Sequence, residues 1–182
     1  MVCLALTLVM KNYLSMNEEI YSLAEQLGHL LVASKLQITT AESCTGGACA
    51  MAITEVPGSS VWFDRGFVTY SNLAKIQMLG VQEATLARFG AVSEETIKEM
   101  LTGSIQNSVA DFAIAISGVA GPGGGSPDKP VGTVLFGWLK KPGVIQTSQQ
   151  FFSGDRRQVR TQAVIYALTI ANQLLGNAHE IT

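Results

Sequence analysis

The chain of 182 residues is 47% hydrophobic and 14% charged, which is too apolar for a disordered protein and fits the length of a single domain. Its 12 basic and 14 acidic residues give a net charge of −2, and because no basic block occurs, a nucleic-acid partner is not expected. No run of about 18 uncharged apolar residues is present, so a membrane span is not expected either.

Cysteine and histidine are too few and too scattered to predict a metal site. Cys3, Cys44 and Cys49 lack the paired C-x-x-C spacing of zinc and redox sites, and His29 and His179 are the only imidazole donors in the sequence. An odd number of cysteines without such pairing is typical of a reducing compartment. We therefore expect a cytoplasmic protein without a structural metal.

The first predicted elements surround a short polar turn. Apolar residues recur at three- and four-residue steps over 17–34, which predicts an amphipathic helix. A β-branched strand at 36–40 leads into the turn AESCTGG (41–47), and an apolar helix follows this turn. Residues 1–15 are predicted to be a loose N-terminal extension, so that residues 16–182 form a single domain.

The middle of the chain alternates strands and helices. Residues 66–71 have the alternating pattern of a strand, and Asn72 is placed to cap a short helix that ends at Leu79. Another helical stretch follows, and Ser93 precedes two acidic residues at the start of the next amphipathic helix. The apolar run 112–116 then predicts a strand that is buried on both faces.

The last third of the chain predicts a hairpin and a helix. Strands at 131–139 and 144–152 are joined by the turn 140–143, which is short enough to force an antiparallel pair. Asp155 is placed to cap the final helix. This order of elements predicts an α/β fold: a three-layer α/β/α domain on a mixed, mostly parallel sheet with an antiparallel hairpin element.

Polar or glycine-rich loops follow three of the predicted strands, at 41–47, 71–75 and 117–130. Because ligands of open α/β sheets bind at the carboxyl ends of strands, we expect these loops to converge on one site. In the first loop Ser43 is a candidate nucleophile, although a serine at a helix start is also typical of a simple cap. Backbone amides next to it could hold a phosphate or an oxyanion, and they belong to Thr45, Gly46 and Gly47.

A serine nucleophile needs a base, and lysine is a better candidate here than histidine. His29 falls inside the first helix and His179 in the C-terminal tail. Lys75 falls in the first turn of the helix that Asn72 is predicted to cap, where the positive end of the helix dipole lowers the pKa of an amine. A solvated surface lysine is the alternative.

Three further residues could support the site. Tyr70 ends the strand before Lys75 and could relay a proton or simply pack. Glu42 could be a second acid or a structural group beside the helix N-terminus. Ser117 follows the strand at 112–116 and could add a hydroxyl, with approachable backbone amides after it at Gly118, Ala120 and Gly121.

Five segments taken together resemble the CinA C-terminal domain family, and more narrowly its stand-alone members, which are amidases of nicotinamide nucleotides. The resemblance runs in unbroken order over about residues 17–175. Its segments are AESCTGG (41–47), GSSVWFDRGFVTYSNLAK (58–75), GAVSEE (90–95), SGVAGPGGGSPDKPVGTV (117–134) and FSGDRRQVR (152–160).

The resemblance implies a small-molecule nucleotide as substrate, with hydrolysis of nicotinamide mononucleotide to nicotinate mononucleotide and ammonia and without metal or cofactor. It assigns Ser43, Tyr70 and Lys75 to catalysis, and Ser117 stands where the family often has threonine. In the implied mechanism Lys75, helped by Tyr70, takes the proton of Ser43. A symmetric homo-oligomer is the general expectation for such enzymes.

Two binding functions follow from the same mechanism. Oxyanion donors would come from the amides of 45–47 or 118–121. The nucleotide phosphate would be held by Arg156 or Arg157 at the start of the last helix, and solvent-exposed helix charge is the alternative for both.

Two other functions stay open at this point. A nucleotide-binding or regulatory module can have the same fold without catalysis, because a fold alone does not confer an activity. An enzyme could also use Cys44 as its nucleophile, because a thiolate at a helix N-terminus is more reactive than a hydroxyl.

Overall fold

The computed structural model describes the backbone of residues 2–177 and the side chains of residues 16–177, so His179 and the side chain of Cys3 lie outside the described part. Its helices are α1 (Val2–Ser34), α2 (Ala48–Thr54), α3 (Asn72–Leu79), α4 (Glu83–Phe89), α5 (Glu94–Gln106) and α6 (Arg156–Gly176). Its strands are β1 (Ile38–Glu42), β2 (Phe63–Val68), β3 (Phe112–Gly118), β4 (Thr133–Lys140) and β5 (Gln146–Phe151), and a 3-10 turn covers Ser59–Val61.

The strands form one mixed sheet in the order β2-β1-β3-β4-β5. β1 lies between β2 and β3 and is parallel to both, whereas β4 is antiparallel to β3 and to β5. The connection between β4 and β5 is too short for anything but an antiparallel pair, whereas helices connect β1, β2 and β3. The predicted mixed, mostly parallel sheet with an antiparallel hairpin is confirmed.

Helices cover both faces of this sheet. On one face, α1, α2 and α6 pack against the sheet at residues that include Ile114 and Phe136. On the other face, α3, α4 and α5 pack against the alanines Ala113 and Ala115. The predicted three-layer α/β/α arrangement is therefore confirmed.

β3 is buried on both faces, as predicted, but the two faces differ in side-chain size. Large side chains face α1, α2 and α6, whereas Ala113 and Ala115 face α5. Ala115 pairs with Gly137 of β4, and a Cβ at Gly137 would lie 2.4 Å from Ile97 of α5. The small residues thus allow α5 to lie close against the sheet, beside the carboxyl end of β3.

Two strand ends differ from their predicted positions in a way that affects the site. β1 extends beyond Thr40 to Glu42, because its parallel pairing with β2 and β3 continues that far. β2 ends at Val68 and not at Ser71. Tyr70 therefore lies in a loop and not at the end of a strand.

One of the two predicted helix caps is wrong. Ser71, not Asn72, caps α3, because the extended backbone of Ser71 allows its hydroxyl to accept a hydrogen bond from the amide of Ala74. The predicted cap of α6, Asp155, is confirmed by the same type of contact, and Ser93 caps α5 in the same way.

α1 begins at Val2 and is longer than the helix predicted for 17–34. The side chains of residues 1–15 lie outside the described part, so the loose extension and the single domain of residues 16–182 stay predictions. No helix in the described part of the chain combines the length and the apolar character that a membrane crossing requires.

Candidate active site

A buried lysine and a buried serine are in contact at the carboxyl end of β1. Nζ of Lys75 donates a hydrogen bond to Oγ of Ser43 at 3.0 Å and another to the carbonyl oxygen of Thr69 at 2.9 Å. Lys75 is 1% exposed and Ser43 is 8% exposed. Lys75 is thus not a solvated surface residue, and the predicted base and nucleophile lie within hydrogen-bond distance of each other.

The parallel strands bring these atoms together. Ser43 directly follows β1, and its amide donates to the carbonyl oxygen of Ile116 in β3. Thr69 directly follows β2, and its amide donates to the carbonyl oxygen of Glu42. The nucleophile and the carbonyl that holds the lysine are therefore fixed at adjacent strand ends, where open α/β sheets place their ligands.

Burial lowers the pKa of Lys75 below its ordinary value, because the ammonium form loses its hydration inside the protein; the Cys44 thiol acts in the opposite direction. Among the described carboxylates, none forms an ion pair with this amine. The pKa shift has the predicted direction, but burial and not the helix dipole is its main cause.

Glu42 is engaged by the start of α2. Its carboxylate accepts hydrogen bonds from the amides of Gly47 at 3.1 Å, Cys49 at 3.0 Å and Ala50 at 2.8 Å, and from the hydroxyl of Thr40 at 3.3 Å. The residue is 1% exposed. This predicted substrate-binding side chain thus lies inside the protein, next to residues 43–47, which we call the nucleophile loop.

Several amides of the nucleophile loop are already bonded within the protein. Gly46 donates to the carbonyl oxygen of Ser43 at 3.0 Å, and Gly47 donates to Glu42. Within residues 2–177, the Thr45 amide has no hydrogen-bond partner, and the Cys44 amide contacts only its own thiol. Of the predicted donors 45–47, only the Thr45 amide is unbonded among the described residues, and Thr45 is 0% exposed, so a ligand on the solvent side does not reach it. The Cys44 amide belongs to a residue that is 6% exposed and is the remaining candidate donor.

Ser117 connects β3 to the segment before α5. It is 1% exposed, and its hydroxyl donates to the carbonyl oxygen of Ala91 at 2.7 Å. Gly118 is the last residue of β3, and the side chain of Ala120 packs in the hydrophobic core. Ala120 can therefore contact a ligand only through its backbone.

Arg156 links Tyr70, which directly precedes one of the loops that were predicted to converge, to Gly121 in another of them. Its guanidinium donates to the hydroxyl of Tyr70 at 2.6 Å and to the carbonyl oxygen of Gly121 at 2.9 Å. Tyr70 is 59% exposed, and its hydroxyl contacts Arg156, whereas the Lys75 amine contacts Ser43 and Thr69. The contact between Ser43 and Lys75 joins the loops 41–47 and 71–75, and Arg156 links the exposed Tyr70 to the loop 117–130.

Sequence reasoning missed two contact residues of the site, Thr69 and Arg160. Nη2 of Arg160 donates to the carbonyl oxygen of Thr45 at 2.7 Å. In the described chain, Nε of Arg160 and the hydroxyl of Thr45 are buried without a hydrogen-bond partner. Both missed residues lie in the segments that carry the family resemblance, but no local pattern indicates a contact between positions 45 and 160.

The thiol of Cys44 is poorly suited to be a nucleophile. Burial raises its pKa to about 12. Because the thiolate is the reactive form, a thiol with this pKa is almost entirely unreactive at neutral pH. The structure therefore favours the Ser43 hydroxyl over the Cys44 thiol.

Neither Ser43 nor Lys75 lines any of three cavities that lie elsewhere in the described chain. A cavity of about 420 Å³ lies on the α5 side of the hairpin, where its walls include Phe89, Lys129, residues 93–95 and residues 147–149. This cavity lacks the candidate nucleophile and base, so we define the site by the contact between them. Among the described residues, no three His, Cys, Asp or Glu side chains converge as a metal-binding group.

Comparisons with known proteins agree over most of the chain. The family model described as CinA C-terminal domain matches residues 20–175. Nicotinamide-nucleotide amidohydrolase PncC of Escherichia coli (strain K12) is 54% identical over 162 residues, which cover 88% of this chain and 98% of that protein. The protein of the same name from Pseudomonas putida is 53% identical over 151 residues, which cover 83% of this chain and 94% of that protein.

Solved structures agree with this result. The crystal structure of competence/damage inducible protein CihA from Agrobacterium tumefaciens is similar to this chain with a TM-score of 0.83 and 43% sequence identity. The similarity covers 87% of this chain and 96% of that one.

Replacing Lys75 by methionine is expected to raise the free energy of unfolding at neutral pH. A lysine with a lowered pKa in the folded state binds fewer protons folded than unfolded, so it destabilises the fold until the pH approaches the unfolded pKa of about 10.4. The advantage of Lys75→Met should therefore shrink as the pH rises through the folded pKa towards that value. Urea unfolding at a series of pH values measures the difference in the free energy of unfolding between the variant and the wild type. A difference that does not vary with pH would contradict the lowered pKa of Lys75.

Proposed function

The chain belongs to the CinA C-terminal domain family and is an amidohydrolase, and we propose that it hydrolyses nicotinamide mononucleotide to nicotinate mononucleotide and ammonia. The observation that carries this proposal is the buried contact between Ser43 and Lys75, which pairs a hydroxyl nucleophile with an amine of lowered pKa. The name of the relatives at 53% and 54% identity, nicotinamide-nucleotide amidohydrolase, supports the choice of substrate.

The first step transfers the acyl group to Ser43. Neutral Lys75 takes the proton of the Ser43 hydroxyl while Oγ forms a bond to the carboxamide carbon. The carbon–nitrogen bond then breaks, and the leaving nitrogen takes the proton from the Lys75 ammonium, so that ammonia departs and an acyl-enzyme remains. The Thr69 carbonyl, 2.9 Å from Nζ, orients the amine in both transfers.

The second step hydrolyses the acyl-enzyme. Lys75 takes a proton from water as the water oxygen attacks the ester carbon, and it returns a proton to Oγ of Ser43 as the ester bond breaks. The nicotinic acid group that is released then loses its proton to solvent. The same base therefore serves both steps, and no second acid is required.

The negative oxygen that develops in both steps needs donors that are not used elsewhere. Within the described chain the Cys44 amide meets this requirement, and it directly follows the nucleophile, where oxyanion donors commonly lie. One such donor usually contributes about 2.7 to 4 kcal/mol to transition-state stabilisation. We assign the oxyanion contact to the Cys44 amide.

Arg156 is the proposed ligand of the nucleotide phosphate. Its guanidinium now donates to two neutral acceptors, Tyr70 and Gly121, and a phosphate would form stronger, charge-assisted bonds in their place. The Asp155 side chain accepts from the amide of Gln158 in the first turn of α6, and we assign phosphate recognition to the Arg156 guanidinium. The proton relay through Tyr70 stays a prediction.

A catalytically inactive nucleotide-binding module of the same fold is the second candidate. The contact between Lys75 and Ser43 argues against it, because a desolvated amine is unfavourable for stability and has a chemical use only as a base. Homo-oligomer formation, a cytoplasmic location and a place in pyridine-nucleotide recycling stay predictions.

Ammonia release by the purified protein tests the substrate assignment when nicotinamide mononucleotide, free nicotinamide and the dinucleotide are compared. We expect kcat/KM for the mononucleotide to exceed that for free nicotinamide by about tenfold or more, since a charge-assisted bond to phosphate contributes on the order of 1.5 to 3 kcal/mol. Activity on free nicotinamide alone would overturn the assignment, and no activity on any of the three would favour the inactive module.

Replacing Ser43 by alanine is expected to lower kcat by about a thousandfold or more while leaving the fold intact, because the covalent intermediate cannot form. Cys44→Ala is the matched control, since it keeps the backbone amide and removes the neighbouring thiol. It should retain most of the activity, because the thiol is protonated at neutral pH. The opposite pattern would make Cys44 the nucleophile.

Replacing Lys75 by arginine should lower kcat almost as much as replacing it by alanine, because arginine keeps the charge but does not deprotonate at working pH. In the wild type, kcat/KM should rise with pH through the lowered pKa of Lys75, since the neutral amine is the active form. A Lys75→Arg variant that retains most of kcat and changes only KM would make Lys75 an electrostatic binding residue.

A further inference from the structure

We infer that Glu42 is a positioning residue whose carboxylate holds the far end of the nucleophile loop and so sets the contact between Ser43 and Lys75. Only the expected effect of Glu42 on the reaction rate rests on the proposed function. The anchoring of the loop by Glu42 is inferred from the contacts of Glu42 alone.

Glu42 holds both ends of the nucleophile loop. Its backbone fixes the near end, because Glu42 pairs with Val68 of β2 and with Ile116 of β3. Its side chain fixes the far end, because Oε2 accepts from Gly47 at 3.1 Å and Oε1 accepts from Ala50 at 2.8 Å. Residues 43–46 therefore connect two points that the same residue holds.

The carboxylate replaces a helix cap that α2 lacks. The N-cap position of α2 is Gly47, at φ 91°, and it makes no side-chain capping bond. A helix of seven residues is marginal without tertiary support. Glu42 supplies the missing acceptors from five positions upstream. The start of α2 therefore cannot move without breaking its hydrogen bonds to the Glu42 carboxylate.

Backbone amides donate hydrogen bonds to the charged carboxylate of Glu42. The residue is 1% exposed, and no ion pair of the described residues includes it. Three amides at the positive end of α2 take the place of water around the carboxylate. Because these bonds occupy both oxygens, Glu42 acts on the reaction through the nucleophile loop and not by touching the substrate.

The loop needs such an anchor because its glycines allow other conformations. Gly46 and Gly47 adopt φ values of 61° and 91°, a region in which glycine moves freely. The Ser43 hydroxyl must stay 3.0 Å from the Lys75 amine for proton transfer. A displacement of about 1 Å in such a contact lowers a rate by about a hundredfold.

The test is Glu42→Gln, which keeps the shape of the side chain but replaces one acceptor oxygen by an NH₂ donor. We expect kcat for ammonia release from nicotinamide mononucleotide to fall by about tenfold or more, with KM changed by less than about threefold. The pH at which kcat/KM reaches half its maximum should stay unchanged, because Lys75 is still the base. Hydrogen exchange should show lost protection at the amides of Gly47, Cys49 and Ala50.

Met51→Gly is the matched control for general destabilisation of α2. Met51 lies in the same helix and is 60% exposed, so glycine there lowers helix stability without touching the carboxylate. It should lower the melting temperature and leave kcat within about twofold of the wild type. If Glu42→Gln does not fold, Glu42→Asp, which keeps the charge on a shorter side chain, is measured in the same way with the same expected losses of kcat and protection.

Each result has a defined meaning. Lost protection with an unchanged kcat would make Glu42 a helix cap without influence on the nucleophile, and unchanged protection would show that it does not hold the loop. Equal losses of kcat in Glu42→Gln and Met51→Gly would assign the effect to α2 stability. If the wild type releases no ammonia from nicotinamide mononucleotide, the proposed function fails, while hydrogen exchange still decides whether Glu42 anchors the loop.

Discussion

The removal of one lysine amine from water is the constraint on which the rest of the site depends. Lys75 is buried with a lowered pKa and has a hydroxyl and a carbonyl as its hydrogen-bond partners. In water this amine would be charged and unable to act as a base near neutral pH. Burial lowers this pKa and so favours the neutral amine that the proposed mechanism requires, and the fold must keep Ser43 beside it.

The sheet and two long-range contacts keep Ser43 beside Lys75. Parallel pairing of β1 with β2 and β3 holds the start of the nucleophile loop, and the Glu42 carboxylate and the Arg160 guanidinium bond to later points of the same loop. Both ionic groups bond to backbone atoms and not to each other. The charges of Glu42 and Arg160 therefore hold the backbone of the loop.

The sequence by itself determined the architecture and pointed to the two groups that are proposed to react. Helix and strand periodicities extend over short windows, and the turn between the last two strands is too short for a parallel pair, so the α/β/α layers and the hairpin could be predicted. Ser43 and Lys75 could be proposed because serine and lysine in loops after strands, with few histidines available, leave little other choice. Local chemistry is enough for these statements because each depends on neighbouring residues.

Only the tertiary structure decided which groups of the site form hydrogen bonds with each other. It placed the Glu42 carboxylate on α2, and it bonded Arg156 to Tyr70 across 86 positions and Arg160 to Thr45 across 115 positions. No local pattern encodes such contacts, because they depend on which elements pack side by side. The main cause of the Lys75 pKa shift was hidden for the same reason, since desolvation is produced by the whole fold and not by the helix on which the lysine lies.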